Sequence, residues 1–590
     1  MAPDLPFGFS NIPPMDRNLS MPLRAGNHSF QVWAAYQKVT AAICLGTLLM
    51  ILHHLGVIAA QLDPPAGYSA LGYLNNLDVP QYLTWILATK TSIFAPNFHA
   101  PWITEPALFQ PLMVLVARMP FQSLFSYYAL HLVMYWLASF SLIEAGIVFC
   151  ASPRQLRLAI VILLCETPLK MIVWAVGTLI SPALAGAFSD GALDFSYYSA
   201  DGLFRGGQSN SMTLTFGTAA MLAGFTLVAK YLTDPKPWIL AGLLIVCSGS
   251  ALIHPYEIFV LAPGAIISFL LYRKWGQAAL VALASALGMA PHFFFLLRST
   301  WLLDNSEGIH GTVNTLAWAP AVYGFPFLVL IGLMALRFSM PSASDRVLQI
   351  WFFATLLVPF IPGAPFAFHL FDGFAYCLAF LLARVASTDR QLRLLWEQRP
   401  VLAKGLAWGL VTVPVASGAV FLIQLASDGR AAEPKYFLSS VVKTKDVQLV
   451  EWVGHNLPAG KLILSPTAIA PWITAKGKHA LASHDVMSIT YIDQQKQVQS
   501  FYSGQPVFDS IARQYGVSYV VVPSGSPAQL PANRLRRMAL LDGYEVLEVE
   551  GGGMKPYPGL VQLQPDFHHG GAKMAVLSKV RTAYHWLGLL

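Results

Sequence analysis

Charge is what this sequence lacks. Asp, Glu, Lys and Arg make up only 11% of its 590 residues, where an ordinary soluble domain carries about a quarter. With 55% hydrophobic residues, the chain holds more apolar surface than a water-soluble fold of this length can hide, which excludes a protein free in water. Cysteine is scarce as well. All five (Cys44, Cys150, Cys165, Cys247, Cys377) lie in or beside apolar stretches and none falls in the C-terminal part, which excludes a disulfide framework. No cleavable signal peptide is apparent, because the first 38 residues are polar and contain proline; the first apolar stretch is long enough to span and is expected to act as a signal anchor. There is no dinucleotide-type glycine fingerprint, phosphate loop, serine nucleophile elbow, nucleic-acid module or internal repeat. The histidines, among them His53, His54, His99, His254, His292, His310, His369 and His484, show no zinc-type spacing. No metal centre is expected, and an assisting divalent cation is left open.

What is present is a series of apolar runs of about 20 residues, each long enough to cross roughly 30 Å of hydrocarbon. They lie near 39–60, 123–149, 156–180, 211–229, 237–253, 256–272, 276–296, 315–336, 347–362, 366–383 and 402–425. The expected fold class is therefore an α-helical polytopic membrane protein with about eleven transmembrane helices. The third span contains Glu166, Pro168 and Lys170 and reads as a broken or tilted helix. Basic residues occupy every second connection: Arg17, Arg24 and Lys38; Arg154 and Arg157; Lys230 and Lys236; Arg273 and Lys274; Arg337 and Arg346; and Arg384 through Lys404. Connections of that kind face the cytoplasm, and the net charge of +7 follows from them rather than from nucleic-acid binding. The connections 61–122, 181–210 and 297–314 are the outer loops. An odd number of crossings places segment 1–38 in the cytoplasm and everything from about 436 outside, in a plasma (inner) membrane.

After the membrane body, 39–430, residues 436–550 read as a small soluble α/β domain. It should contain helices near 447–456, 493–502 and 507–515 and strands at 461–464 and 518–523, the last with sequence SYVVVP. Its expected role is positioning or acceptor binding. Segment 551–590 reads as irregular, with a basic amphipathic helix at 572–590.

Ionisable residues at a membrane edge are functional candidates by default, and four clusters on the outer side stand out. In the first loop, Asp78 begins an amphipathic stretch with Tyr82 one turn later, and Glu105 precedes a proline-interrupted apolar segment too short to span. Asp before Val-Pro is also a plain helix start. The loop 190–210 combines Asp190, Asp194 and Asp201 with Phe195, Tyr197, Tyr198, Arg205 and Gln208, groups that suit sugar hydroxyls and ring faces as well as a solvated loop tip. His254, Pro255, Tyr256 and Glu257 form the tight turn between the fifth and sixth spans. There a carboxylate in the first turn of a helix has a sufficient structural reason, yet the trio also builds a polar pocket. Last come Arg298, Asp304, Glu307 and His310, and His369 with Asp372. A lipid-phosphate leaving group needs a fixed cation, which guanidinium supplies in a bidentate fork. Arg205 and Arg298 are the only arginines in the outer loops after the second span.

The first loop resembles that of the polyprenyl-phosphate-sugar-dependent glycosyltransferases of the C superfamily, of the protein mannosyltransferase and aminoarabinose transferase type. The matching residues are Asp78, Pro80 and Tyr82, then Glu105, Pro106, Pro111 and Leu112; where the family commonly shows a second acid, this chain has Val79. The resemblance implies an inverting transfer of a sugar from a lipid-linked donor to a glycan, lipid or protein acceptor on the outer face. In it Asp78 is the general base. From the outer-side clusters themselves, Glu257 is the expected second acid, and Tyr82, Glu105, Asp201, Arg205, His254, Tyr256, Arg298 and His369 are the expected substrate-binding residues. The residues alone leave two other classes open. A transporter or lipid-linked-sugar flippase should show paired inverted repeats and midplane breaks. A non-catalytic envelope assembly protein would use its tail to hold partners.

Overall fold

The computed structural model describes residues 26–73, most of 78–165, 211–298, 342–358, 373–388 and 425–434, and 439–552 apart from 484–490, with scattered residues elsewhere. It is mostly helical. The first apolar run is two helices, α1 (Gly26–His53) and α2 (Leu55–Leu62), whose apolar parts meet at 59°. The break falls on His54, whose backbone leaves the helical region at φ −99° and ψ 13°. Its Nδ1 lies 2.8 Å from Met50 O, the same carbonyl that accepts its own backbone N–H at 3.1 Å. A side chain inserted into the helical ladder is a recognised origin of a kink.

The following helices are α3 (Asp78–Ala88), α4 (Pro111–Arg118), α5 (Ser123–Phe149), α6 (Pro153–Cys165), α7 (Met212–Thr233), α8 (Pro237–Ile253), α9 (Ile258–Leu271), α10 (Trp275–Arg298), α11 (Ala343–Leu357) and α12 (Phe374–Thr388). Among the described residues, Ser123–Phe149, Met212–Thr233 and Trp275–Phe294 are each long and apolar enough to cross a membrane, as is the bent α1–α2 pair; Pro237–Ile253 and Ile258–Leu271 are shorter apolar helices. The predicted span at 315–336 lies outside the described residues, as do the second half of the one at 156–180 and most of that at 402–425. Large apolar side chains such as Trp238, Ile245, Trp275 and Leu287 stand on the bundle's exterior, where only lipid makes them favourable.

Helix α7 is the hub. It packs against α5, α8, α9 and α11, and its small residues Gly217, Ala219, Ala220 and Gly224 are buried, which lets neighbouring backbones come close without a hydrophobic drive from water. Lys38 of α1 and Lys230 of α7 both reach Glu144 of α5, so one carboxylate ties three helices at the far end of the hub.

The last part of the chain forms a mixed five-stranded sheet. Strands β5 (Leu462–Leu464), β6 (His479–Ala480), β7 (Val517–Pro523), β8 (Leu535–Leu541) and β9 (Tyr544–Val549) run in the order β6-β5-β7-β9-β8; β5 is parallel to β6 and β7, and the β8–β9 hairpin adds antiparallel. Helices α13 (Thr444–Asn456), α14 (Ala470–Ala475), α15 (Tyr491–Tyr502) and α16 (Phe508–Tyr515) accompany the sheet.

Two short strand pairs complete the topology. In the first loop β2 (Ala95–Pro96) pairs with β3 (Pro106–Leu108). Strand β1 (Tyr68–Ala70), just after α2, pairs antiparallel with β4 (Val441–Lys443), just before α13. Hydrogen-bonded strands lie on one side of a bilayer, so the chain between them makes an even number of crossings. Trp85 and Ile86 of α3, Leu112 and Met113 of α4, and Leu462, Leu464, Val517 and Phe501 of the sheet layer share one core, and α14 packs directly on α3. The buried faces of α3 and α4 are thus covered by the sheet layer.

Candidate active site

The candidate site is built on the first two turns of α7. Ser211 caps this helix, its Oγ accepting Leu214 N–H at 3.3 Å. The same hydroxyl is 3.1 Å from Tyr82 OH and 2.9 Å from Thr213 Oγ1, and Tyr127 OH accepts Met212 N–H at 3.3 Å. Tyr82 stacks on Tyr127 with ring centroids 6.1 Å apart. The first loop is thus fastened to the start of α7 by a chain of hydroxyls. Asp78 opens α3, four residues or about 6 Å of helix rise ahead of Tyr82.

The turn between α8 and α9 meets α7 one turn further along. Its Glu257 is 1% exposed and His254 7%. Glu257 stands at the N-cap of α9 but makes no capping bond; both carboxylate oxygens turn back to His254 Nδ1, at 2.8 and 2.7 Å. A carboxylate only accepts, so Nδ1 donates. The helix-dipole explanation for an acid at this position leaves that geometry unaccounted for. Tyr256 packs edge-on against His254, centroids 4.9 Å apart. Gly217 on α7 makes room for the acid: a Cβ there would lie 2.1 Å from Glu257 Oε1. Glycine is required here by close approach.

Of the residues singled out from sequence, Tyr82, His254, Tyr256 and Glu257 are thereby brought to one end of α7, with Asp78 at the start of the helix that reaches it. Arg298 closes α10, a helix that packs against β3. Glu105, Asp201, Arg205 and His369 lie outside the described residues. Ser211, Thr213, Gly217 and Tyr127 escaped the sequence reading. Their signal was there: Tyr127, His131, Tyr135 and Ser139 repeat every four residues, a polar stripe on one face of an otherwise apolar span. Among the described residues no group of three or more His, Cys, Asp or Glu side chains is arranged to hold a metal.

No family model and no curated protein matches the chain. Among solved structures it is similar to ArnT from Cupriavidus metallidurans bound to undecaprenyl phosphate, at 10% identity and a TM-score of 0.41 over 80% of this chain and 97% of that one. It is also similar to the same protein in the apo state, at 11% identity and a TM-score of 0.38 with the same coverage. Superpositions at this level carry no argument about the chemistry.

Proposed function

We propose that the chain is an inverting glycosyltransferase of the C type, which moves a sugar from a polyprenyl-phosphate donor to a glycan, lipid or protein acceptor at the outer face of a plasma membrane. The observation that carries this reading is the meeting of two distant polar segments, the Asp78–Tyr82 helix start and the His254–Glu257 turn, on the first turns of α7 beneath the sheet layer. In this reading the chain crosses the bilayer about eleven times, with its N-terminus in the cytoplasm and residues 436–550 as an outer α/β domain. The ten crossings expected between β1 and β4 agree in parity with the pairing of those strands.

Asp78 acts as general base. It takes the proton of an acceptor hydroxyl, the oxygen attacks the anomeric carbon from the face opposite the phosphate, and the polyprenyl phosphate leaves with the electrons of the broken bond. The carboxylate also stabilises the positive charge that develops on the sugar ring. Glu257, oriented by His254, holds the acceptor, and Arg205 or Arg298 neutralises the departing phosphate. Asp78→Asn and Glu257→Gln test the reading in membranes supplied with a polyprenyl-phosphate sugar. The first should lower transfer on the order of 10²–10⁴-fold with insertion and folding unchanged. An Asp78→Asn protein that transfers sugar at the wild-type rate refutes it.

A further inference from the structure

The seam between the first loop and the sheet layer holds a polar contact that the proposed reaction does not use. His99 lies in the connection between β2 and β3, and its Nδ1 is 2.8 Å from the hydroxyl of Ser483, 384 positions further along the chain. His99 is 1% exposed and Ser483 0%. One of the two groups donates to the other whichever nitrogen holds the imidazole proton. Such a pair is costly to separate, because a buried partner left behind finds no water to replace the bond.

Local structure fixes both sides of the pair. Strand β6 ends at Ala480, and two residues later Ala482 stands at φ +53°, a left-handed conformation unfavourable for a residue with a Cβ. Its N–H is held at 2.9 Å by Oε1 of Gln494, a buried side chain of α15, and Leu481 N–H extends the sheet to Ile463 O at 3.1 Å. Ser483 is thus presented from a fixed turn. Backbone strain persists only where the surroundings over-determine it, and it directs attention to a role beyond folding. On the loop side, β2 and β3 form a short antiparallel arm. Strand β2 packs against α3, which opens with Asp78, and β3 packs against α10, which closes with Arg298. The arm therefore stands between the helix of the candidate base and the helix of a candidate cation. Helix α3 has other fastenings, through Tyr82 to Ser211 at 3.1 Å and through α14 packed on it, so release of the arm is felt chiefly at α10.

We propose that Ser483 and His99 are positioning residues for the seat of the donor's phosphate. The hydroxyl of the sheet layer holds the arm, the arm holds α10, and the helix end that carries Arg298 keeps its place beside the phosphate. The inference rests on the proposed transfer from a polyprenyl-phosphate donor, and it gives the C-terminal domain a part in donor binding without a contact to the donor.

Binding of undecaprenyl phosphate, and of undecaprenol, the same chain without its phosphate, to the full-length protein in lipid nanodiscs tests this. The wild type should prefer the phosphate. In Ser483→Ala the Kd for undecaprenyl phosphate should rise about tenfold, while that for undecaprenol does not change. A contact that serves folding alone would reduce the amount of binding protein and leave Kd where it was. His99→Ala should match Ser483→Ala, and the double variant should bind no more weakly than either, as expected for two halves of one contact. His99→Asn, whose amide can take the place of Nδ1, should recover most of the affinity. A wild-type Kd for the phosphate in Ser483→Ala, or an equal loss for undecaprenol, overturns the positioning role alone. A wild type that does not distinguish the two lipids overturns the proposed donor, and this inference with it. If Ser483→Ala does not fold, His99→Ala is compared with His99→Asn against the same outcomes.

Discussion

The notch that Gly217 provides for Glu257 can be probed with a single methyl group. In Gly217→Ala the new Cβ would stand 2.1 Å from Glu257 Oε1 and 2.4 Å from Cδ, where ordinary contact begins near 3.4 Å. Helix α7 is packed on four sides and cannot retreat, so the carboxylate must move by about 1.3 Å, the difference between those contact distances. A shift of that size away from His254 stretches hydrogen bonds of 2.7 and 2.8 Å past useful length. Overpacking of this kind costs about 1–3 kcal/mol in stability, and an ångström of misplacement at a reacting site costs about 10²-fold in rate. The variant should therefore fold, melt a few degrees lower in detergent, and transfer sugar about a hundredfold more slowly. Gly224→Ala controls for the helix: it also makes a close contact, with Leu261, but away from the acid, so it should lose stability and keep activity. A Gly217→Ala enzyme with wild-type rate would show that the position of Glu257 does not matter to the reaction.

Ser211→Ala removes both the cap of α7 and the anchor of Tyr82; a loss of about 1 kcal/mol in unfolding free energy should come with faster proteolysis of the first loop. Gly429→Val should block the close passage against Gly56, where even a Cβ would lie 2.2 Å from the facing Cα, and is expected to lower the yield of folded protein severely in a detergent-extraction assay. The sheet layer should be alkali-sensitive. Burial, and then the bond to Asp446 at 2.6 Å, hold the Tyr544 hydroxyl above the ordinary tyrosine range. A group raised in the folded state contributes fully below its unfolded value of about 10 and loses that contribution as pH climbs. Thermal melts between about pH 9 and 11 should fall more steeply for the wild type than for Tyr544→Phe, and parallel curves would contradict the assignment.

The helices were legible because lipid imposes length and polarity rules on each segment by itself. The run predicted at 123–149 is the observed α5, and 237–253 is α8. The tail helices and SYVVVP were legible from the patterning of their own apolar residues, whereas strand β8, with sequence LRRMALL and charged residues facing solvent, shows no clear alternation and was missed with its hairpin. Asp78 as a helix start followed from the Asp-Val-Pro sequence. What could not be read locally is which surfaces meet. Nothing in Trp85 or Leu462 announces that they share a core, and nothing in Gly217 announces the acid opposite. The Tyr127–His131–Tyr135 stripe was hidden by a reading that averages hydropathy over a whole span.

The β1–β4 pair also sets an order of events during synthesis. Ser69 and Thr444, whose hydroxyls are 2.9 Å apart, are 375 positions apart in the chain, so the ribosome must deliver nearly the whole membrane body before the first strand can find its mate. Until then β1 waits as an open edge, exposed to proteases and to wrong neighbours. Closing that pair marks the completed membrane body, and a nascent protein stalled before residue 441 lacks the latch that would protect it from quality control.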